Sequence, residues 1–484
     1  MKLPLLAKQM ALRSSAIVIV KIIGLIGRIS LTRLVGAEGV GLYQIVYSFY
    51  GLMLMLITGG LPTALALYTA NHVSRGWALF KLLSLYMIVI GGFVSLLIYW
   101  FSSALAQILG NPQLVFALRC LAPALFAVPL LALLRGFLQG VEKYELIAFS
   151  EIMEQVVRVG SLLLFVPLFL PYGVSTAVGG GILGTFTGAL LAFAGLIISF
   201  FLFQNFQISK YNFKEVTSDI SMLYQTSLVI AFTRLLIPAS DFIDAILIPN
   251  RLQAAGYSSS EATAMFGVIT GMAIIVVYSP TLITAALSHT LTVKIAADWQ
   301  EGRKVQFCRR TYAALELGWL WGWASGLFLF TYSAQLSWLI FGTEEASNPI
   351  KYLAFLPLIV GLREMTTSVL WAQDRKRVPL IGLIAGICLS LLLFYFLVAI
   401  PNFGYIGAAV SILAMELVAA TWNLQALKQV LRDYFRLLPL LCDVLILVIM
   451  MILAAALPNV PGMILFFVGA GLYMNIRILQ RKAY

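Results

Sequence analysis

Apolar runs of about twenty residues recur along the whole chain, and no other feature constrains its fold as strongly. Of the 484 residues, 61% are hydrophobic and 11% are charged, and soluble domains usually carry roughly 25% charged residues. These proportions exclude a soluble enzyme, a disordered chain and a receptor with a single membrane anchor. We predict an all-α integral membrane protein with fourteen transmembrane helices. The runs are Ser14–Val35, Leu42–Tyr68, Leu82–Phe101, Leu114–Leu134, Leu146–Leu170, Val174–Phe203, Met222–Ile248, Ala264–Ala286, Thr311–Thr331, Leu353–Trp371, Leu380–Ile400, Tyr405–Gln425, Leu437–Leu457 and Met463–Leu479.

Lysine and arginine mark the cytoplasmic loops of membrane proteins, and here they alternate from loop to loop. With the N-terminus inside, 23 of the 32 basic residues fall in inner segments and two, Arg251 and Lys351, fall in outer ones. One missed helix would invert every later loop, so the alternation supports the helix count. We expect a multi-pass protein of the cytoplasmic membrane with both termini in the cytoplasm. This alternation also explains the net charge of +12, so we expect no nucleic-acid partner.

The sequence has few residues in patterns that would support catalysis or metal binding. The two histidines, His72 and His289, offer few metal ligands, and there is no G-x-x-x-x-G-K-[ST] phosphate-binding loop. We therefore expect no enzyme activity, no metal, and no cofactor other than a coupling monovalent cation or proton. The four cysteines are isolated from one another: Cys120, Cys308, Cys388 and Cys442.

A weak internal repeat predicts two lobes. Ser161-Leu-Leu-Leu-Phe follows Gln139, and Ser390-Leu-Leu-Leu-Phe follows Gln373 at a similar distance. The match relates helices four to six to helices ten to twelve, and an even number of helices per repeat keeps both halves in the same orientation. We predict an N-lobe at residues 1–210 with helices 1–6, a C-lobe at 211–430 with helices 7–12, and two further helices at 431–484. The polar stretch Gln204–Asp219 is the predicted linker.

Seven basic residues fall within predicted spans, with Arg477 at the end of the last span counted among the inner segments. Each of the seven costs about 2.5–3.5 kcal/mol if it lies at the centre of a helix in the bilayer. On the first span, Lys21 and Arg28 lie on one face at about 100° per residue, and Gly24 and Gly27 permit a close approach to another helix. Either this face lines a hydrated cavity and binds an anion, or carboxylates on neighbouring helices neutralise it.

The fifth and seventh spans each join a basic and an acidic residue. Glu154 and Arg158 form an i,i+4 pair, which is either a structural ion pair or part of a substrate site. On the seventh span, Arg234 and Asp241 share a face with Pro238, which is predicted to break the helix and free a carbonyl group. Asp241 either pairs with Arg234 or joins a monovalent cation site.

The second span carries a break and an aromatic stripe. The break is either a hinge for a rocking motion or a tolerated kink, and the stripe, with i, i+4, i+7 spacing, favours an aromatic belt at the membrane interface. The break consists of Gly59, Gly60 and Pro62, and the stripe of Tyr43, Tyr47 and Tyr50.

The charges within spans differ between the two predicted lobes. The first lobe has an excess of bases, whereas the second has an excess of acids that includes Asp241 and Glu416. A basic lobe suits an anionic headgroup, and an acidic lobe suits a cation or proton. We therefore expect substrate binding at Lys21, Arg28, Arg158 and Arg234, coupling at Asp241 and Glu416, and hinges at Gly59, Gly60, Pro62 and Pro238.

Several segments resemble the stage V sporulation protein B-like polysaccharide transporters and the lipid II flippases. These families belong to the multidrug/oligosaccharidyl-lipid/polysaccharide exporter superfamily. The resemblance covers nearly the whole chain. The segments that carry it are Leu34–Gln44, Gly59–Pro62, Ser150–Val159, Ile243–Gly256 and Glu261–Thr263.

The resemblance implies two six-helix lobes in a V around a central cavity, with alternating access that moves a lipid-linked sugar pyrophosphate between leaflets. It also implies that basic residues of the first lobe hold the pyrophosphate, with Arg28 as the best match and Lys21 as a second. A cation site in some relatives uses a seventh-span carboxylate, which Asp241 or Asp244 would match. The eleventh span, Leu380–Ile400, has no carboxylate and departs from that pattern.

Three readings of the function remain open from the sequence. The first is a flippase for an undecaprenyl-pyrophosphate-linked oligosaccharide or peptidoglycan precursor, acting as a monomer among membrane lipids. The second is a multidrug or cation antiporter of the same superfamily, which would favour an acidic first lobe. The third is an integral-membrane glycosyltransferase or polymerase, which would need a sizeable outer loop with acidic catalytic residues.

Overall fold

The computed structural model describes residues 3–203, 213–432 and 437–482, and in those ranges the regular elements are all helical. A 3₁₀ turn at Leu170–Tyr172 and a π-helix at Gly267–Ala273 accompany the α-helices. In chain order the α-helices are α1 Leu3–Thr58, α2 Leu61–Asn71, α3 Val73–Trp100, α4 Ser102–Ile108, α5 Leu114–Gly140, α6 Tyr144–Phe169, α7 Val174–Phe203, α8 Phe213–Ala254, α9 Ser259–Phe266, α10 Ile274–Tyr278, α11 Thr281–Gln300, α12 Lys304–Thr331, α13 Ser333–Phe341, α14 Ser347–Tyr352, α15 Leu356–Ala372, α16 Arg377–Leu397, α17 Gly404–Ala426, α18 Lys428–Leu431, α19 Leu437–Ala455 and α20 Asn459–Lys482.

Eleven helical segments in the described ranges are long and apolar enough to cross a bilayer. Helix α3 shows why they belong in lipid, because Leu83 and Met87 are buried on one face whereas Leu85 and Val89 are exposed on the other. Exposed side chains of this size are costly in water but not in hydrocarbon. The chain is therefore a multi-pass membrane protein with an all-α fold, as the sequence predicts.

Two glycine positions divide the N-terminal helices where the sequence predicts interruptions. Helix α1 consists of two helical segments that meet at Gly36, whose φ of 67° and ψ of −170° lie outside the helical region. The predicted first span ends at the preceding residue, Val35. The second segment ends at Thr58, Gly59 adopts a φ of +52°, and α2 begins at Leu61. A positive φ suits glycine because it has no Cβ.

Two predictions about the seventh span are corrected. Helix α8 runs without a break from Phe213 to Ala254 and contains Pro238, so the predicted break at Pro238 is wrong. Proline removes one main-chain hydrogen bond, and in a membrane protein neighbouring groups commonly compensate for that loss. Of the predicted linker, residues 204–212 lie outside the described residues, whereas 213–219 belong to α8. Hinge roles for Pro238 and for the Gly59–Pro62 break stay predictions.

The helices form two compact units. The first comprises Met1–Asn250 and Ser258–Gly267, and the second comprises Arg251–Tyr257 and Val268–Tyr484. Helix α8 therefore packs with the helices of the first unit. The predicted lobe boundaries at residues 210 and 430, and the V-shaped arrangement, stay predictions.

Glycines bring the helices of the first unit into main-chain contact. A Cβ on Gly41 would lie 2.0 Å from the Thr263 carbonyl oxygen, and a Cβ on Gly267 would lie 2.3 Å from that of Ala37. The Asn111 side-chain amide donates a hydrogen bond to the Thr263 hydroxyl at 2.8 Å. Two of the segments that carry the family resemblance, Leu34–Gln44 and Glu261–Thr263, are therefore held directly against each other.

The internal repeat recurs in the turn geometry. Glu142 after α5 has a φ of 58°, and Asp374 after α15 has a φ of 59°. At each turn the following residue donates its N–H to the carbonyl five residues earlier, Lys143 to Leu138 at 2.9 Å and Arg375 to Leu370 at 2.9 Å. Both turns have the hydrogen-bond pattern of a Schellman motif. The turn between α5 and α6 therefore has the same backbone geometry as the turn between α15 and α16.

The close contact at Gly41 predicts a stability effect that depends on position. Gly41→Ala places a methyl group against the Thr263 carbonyl, so we expect it to destabilise the protein by about 1–3 kcal/mol through overpacking. The measurement is the apparent Tm of the detergent-solubilised protein, followed by tryptophan fluorescence. Gly51→Ala is the matched control in the same helix, because a Cβ there would meet nothing within 4 Å. An equal Tm for the two variants would contradict the contact.

Candidate functional site

One face of α6 carries a cluster of polar residues into the first unit. Ser150, Glu154 and Arg158 lie four residues apart and so share a helical face. The Arg158 Nη2 atom donates to Glu154 Oε1 in an ion pair. The i,i+4 ion pair predicted from the sequence is confirmed, whereas the substrate-binding role of Arg158 stays a prediction.

A second guanidinium reaches the same carboxylate from α5. Arg135 Nη1 donates to Glu154 Oε2 at 2.7 Å, and Arg135 Nε donates to the Ser150 hydroxyl at 2.9 Å. Arg135 lies one residue beyond the predicted span Leu114–Leu134, so the apolar pattern does not reveal this role. The sequence signal for it is the polar face Ser150–Glu154–Arg158, which predicts a polar side chain on the helix that packs against it. Two guanidiniums share one carboxylate here, so the cluster keeps one net positive charge.

The tyrosine stripe of α1 lies beside this cluster and is largely buried inside the protein rather than facing lipid headgroups. Tyr43 and Tyr50 are each 7% exposed, and the Tyr47 hydroxyl shares a hydrogen bond of 2.7 Å with the Thr185 hydroxyl. The guanidinium of Arg158 lies within electrostatic range of all three phenol oxygens. The predicted interfacial aromatic belt is wrong, because the spacing defines a face of the helix but not what that face packs against.

Two glycines of α7 fix the backbone beneath the cluster. A Cβ on Gly184 would lie 2.6 Å from the Arg158 carbonyl oxygen, and a Cβ on Gly188 would lie 2.7 Å from that of Glu154. The Gly-x-x-x-Gly spacing is typical of closely packed membrane helices. The pair was visible in the sequence as Gly184-Thr-Phe-Thr-Gly188 and was missed.

Lys21 and Arg28 remain without a carboxylate partner. Both side chains are exposed, and within the described part of the chain neither forms an ion pair. Close packing of this helix on α6 is confirmed, since a Cβ on Gly24 or Gly27 would lie 2.8 Å from the nearest side-chain atom of α6. Arg28 lies within electrostatic range of the Tyr43 oxygen, next to the Arg158 cluster. Among the described residues, no carboxylate neutralises Lys21 or Arg28.

Arg234 contacts Thr63 and not Asp241, whose pairing with Arg234 is one of the two alternatives that the sequence leaves open. Its Nη1 atom donates to the Thr63 hydroxyl of α2 at 2.9 Å, and no ion pair joins it to Asp241 among the described residues. Seven residues separate the two along α8, which is a rise of about 10 Å, whereas ion pairs within a helix usually join residues three or four apart. Asp241 is exposed, and the buried Oδ1 atom of Asp244 has no hydrogen-bond partner in the described part of the chain. A cation site at these carboxylates stays a prediction.

In the second unit, the buried acids have arginine partners. Glu416 is 3% exposed, pairs with Arg363 Nε, and accepts a hydrogen bond of 3.3 Å from the Tyr278 hydroxyl. Arg477 Nη2 contacts Glu316 Oε1 at 3.1 Å and Asp443 Oδ2 at 2.9 Å. These pairs do not remove the predicted acidic excess, because the single guanidinium of Arg477 faces two carboxylates and leaves one negative charge uncancelled. A coupling role for Glu416 stays a prediction.

Removing one partner of the Glu416 pair tests its importance for stability. Arg363→Met leaves a buried carboxylate without its cation, so we expect a loss of about 3–5 kcal/mol and a lower apparent Tm. The double variant Arg363→Met/Glu416→Gln removes both charges and should recover much of that loss. Lys376→Met is the control, because Lys376 and Asp374 are 72% and 88% exposed and exposed pairs contribute little. A single variant as stable as the control would contradict the pair's role.

Comparison with known proteins gives consistent results. A family described as "Polysaccharide biosynthesis protein" matches residues 6–294. The chain is 27% identical to stage V sporulation protein B of Bacillus subtilis (strain 168) over 441 residues, which cover 88% of this chain and 85% of the relative. It is 23% identical to the lipid II flippase MurJ of the same strain over 408 residues, covering 77% and 74% of the two chains.

Solved structures share the fold. The lipid II flippase MurJ in an inward closed conformation aligns with a TM-score of 0.71 at 15% identity, covering 97% of this chain and 100% of the other. An inward-facing multidrug resistance transporter of the MATE family, in the MOP superfamily, aligns with a TM-score of 0.66 at 13% identity, covering 86% and 96%. At these identities the likeness shows the fold alone.

Proposed function

Because the chain belongs to the polysaccharide biosynthesis protein family, we propose that it is a flippase for a lipid-linked sugar pyrophosphate. In this proposal it moves an undecaprenyl-pyrophosphate-linked oligosaccharide or peptidoglycan precursor across the cytoplasmic membrane by alternating access. The single observation that supports the substrate class most is the Arg135–Glu154–Arg158 cluster, in which two guanidiniums share one carboxylate. The curated relatives include a protein named as a lipid II flippase.

The chemistry of the substrate fits the charges of the first unit. A polyprenyl pyrophosphate has an anionic head that cannot cross hydrocarbon and an apolar tail that never needs to leave it. Arg28 and Lys21 add two positive charges on α1 that have no ion-pair partner among the described residues, and this helix packs on α6 through Gly24 and Gly27. Guanidinium groups bind phosphates through paired, charge-assisted hydrogen bonds. The proposed headgroup site therefore lies on α1, α5 and α6, with Arg234 of α8 as a further candidate.

A multidrug or cation antiporter is the rival function, supported by the fold shared with the MATE transporter. An organic cation would meet repulsion at Arg28 and Arg158, because the Arg135–Glu154–Arg158 cluster has one carboxylate for two guanidiniums. We therefore favour the anionic substrate. We also propose that the protein is not an enzyme, carries no resident cofactor and acts as a monomer, with a monovalent cation or proton gradient as the driving force.

The proposed topology has fourteen spans with both termini in the cytoplasm. Three segments would be added to the eleven that qualify by length and composition. These are the second segment of α1, the more polar helix α8, and α15, which has 17 residues. A helix of that length rises about 26 Å, which is at the lower limit for crossing a bilayer.

Reconstitution tests the proposed transport. Purified protein in liposomes should exchange a fluorescent undecaprenyl-pyrophosphoryl sugar between leaflets, measured as loss of signal to a membrane-impermeant quencher. Arg28→Gln should lower the rate by at least tenfold, about 1.4 kcal/mol, because it removes a cation from the headgroup site. Arg119→Gln is the matched control, since Arg119 of α5 hydrogen-bonds to Ser102 and stacks on Tyr99. Wild-type protein that exchanges no such lipid but exports organic cations would establish the antiporter instead.

Cysteine labelling tests the proposed topology at α15. In a chain whose native cysteines are replaced by serine, Lys351→Cys should react with an impermeant maleimide in intact cells. Lys376→Cys should react only after permeabilisation, because α15 lies between the two positions. Labelling in permeabilised membranes is the control that both thiols are reactive. Modification of both from outside would show that α15 does not cross the membrane.

A further inference from the structure

Glu154 occupies the centre of the basic cluster. Its two carboxylate oxygens each serve a different guanidinium, Oε1 that of Arg158 and Oε2 that of Arg135. The two cations come from different helices, α6 and α5. A carboxylate with this geometry presents two oxygens to two guanidiniums, which is also what a phosphate group does.

The two guanidiniums have hydrogen-bonding capacity that Glu154 does not use. Arg158 Nε and Arg135 Nη2 are buried and have no hydrogen-bond partner within the described part of the chain. Buried donors without partners are costly, so the site can gain free energy from an anion with more acceptor oxygens than one carboxylate. A diphosphate has more acceptors and carries negative charge on both phosphates.

Part of each arginine side chain in the cluster is exposed. The side chains of Arg135 and Arg158 are 19% and 21% exposed, whereas that of Glu154 is 10% exposed. Gly184 and Gly188 of α7 hold the backbone of Arg158 and Glu154 in close contact. The two free nitrogens are themselves buried, so an incoming anion would reach them as the Glu154 carboxylate moves away from the arginines.

We propose that Glu154 is an internal counter-anion that occupies a diphosphate-binding site when the substrate is absent. The diphosphate of the lipid-linked sugar displaces the carboxylate from Arg135 and Arg158, and Glu154 returns when the substrate leaves. The inference rests on the proposed flippase function and deepens it. It adds Arg135 to the headgroup site and explains how a cluster of cations in the membrane releases a tightly held anion, since the return of Glu154 offsets the loss of the phosphate.

Binding of inorganic pyrophosphate to the full-length, detergent-solubilised chain tests the proposal. Isothermal titration calorimetry should show that Glu154→Gln binds pyrophosphate about tenfold more tightly than the wild type, because the competing charge is gone. Arg158→Gln and Arg135→Gln should each bind about tenfold more weakly. Arg119→Gln, a membrane arginine of α5 with its own partners, should bind like the wild type.

If Glu154→Gln fails to fold, Glu154→Asp provides a second variant for the same binding measurement. The shorter side chain retains the charge but cannot bridge both guanidiniums, so we expect pyrophosphate binding a few-fold tighter than that of the wild type. If Glu154→Gln or Glu154→Asp folds and binds pyrophosphate equally or more weakly, Glu154 is a structural bridge and the proposal is overturned.

The outcomes separate this inference from the proposed function. Suppose that the wild-type protein exchanges the labelled lipid and that substitution of Glu154 does not change the affinity for pyrophosphate. The counter-anion role of Glu154 would then be overturned, and the proposed flippase function would stand. Exchange of the lipid without any pyrophosphate binding would likewise overturn the diphosphate site at Arg135 and Arg158. If the wild-type protein shows no lipid exchange and also binds no pyrophosphate, the proposed function itself is overturned.

Discussion

The interaction on which the first unit depends is the sharing of one carboxylate by two guanidiniums. Arg135 and Arg158 approach Glu154 from different helices, and removing such a partner leaves an uncompensated charge at a cost of about 3–5 kcal/mol. The sharing therefore holds α5 and α6 together while leaving one positive charge uncancelled. Replacing buried ion pairs with hydrophobic packing is often neutral or stabilising. Stability alone therefore does not explain why two arginines and a glutamate occupy these positions.

Glycines make this arrangement possible, because polar side chains can meet only where helices come close. Gly184 and Gly188 let α7 contact the carbonyls of Arg158 and Glu154, and Gly41 lets α1 contact Thr263. Without a hydrophobic driving force between helices in lipid, such close packing is a principal source of association. The segments that resemble the transporter family are therefore packing surfaces as well as carriers of charge.

The sequence predicts what is local and fails where the partner is distant. The end of the first span at Val35, the Gly59 interruption and the Glu154–Arg158 pair follow from spacing within one helix, and all are present. The partners of Arg135 and of Arg477 could not be predicted, because each is chosen by helix packing across many residues. The tyrosine stripe shows the same limit: its periodicity identifies a face, whereas its burial beside Arg158 depends on which helix covers that face.

The packing of α8 also changes how coupling would work. The sequence suggested a division between a basic lobe for the substrate and an acidic lobe for a cation. In the structure, Asp241 and Asp244 belong to the same compact unit as Arg28 and Arg158, while the Glu416 carboxylate of the second unit is already paired with Arg363. A cation bound at α8 would therefore act on the charge balance of the unit that holds the proposed headgroup site. Coupling of this kind follows from linkage: if the cation binds more tightly when the anion is bound, the anion binds more tightly by the same factor when the cation is bound.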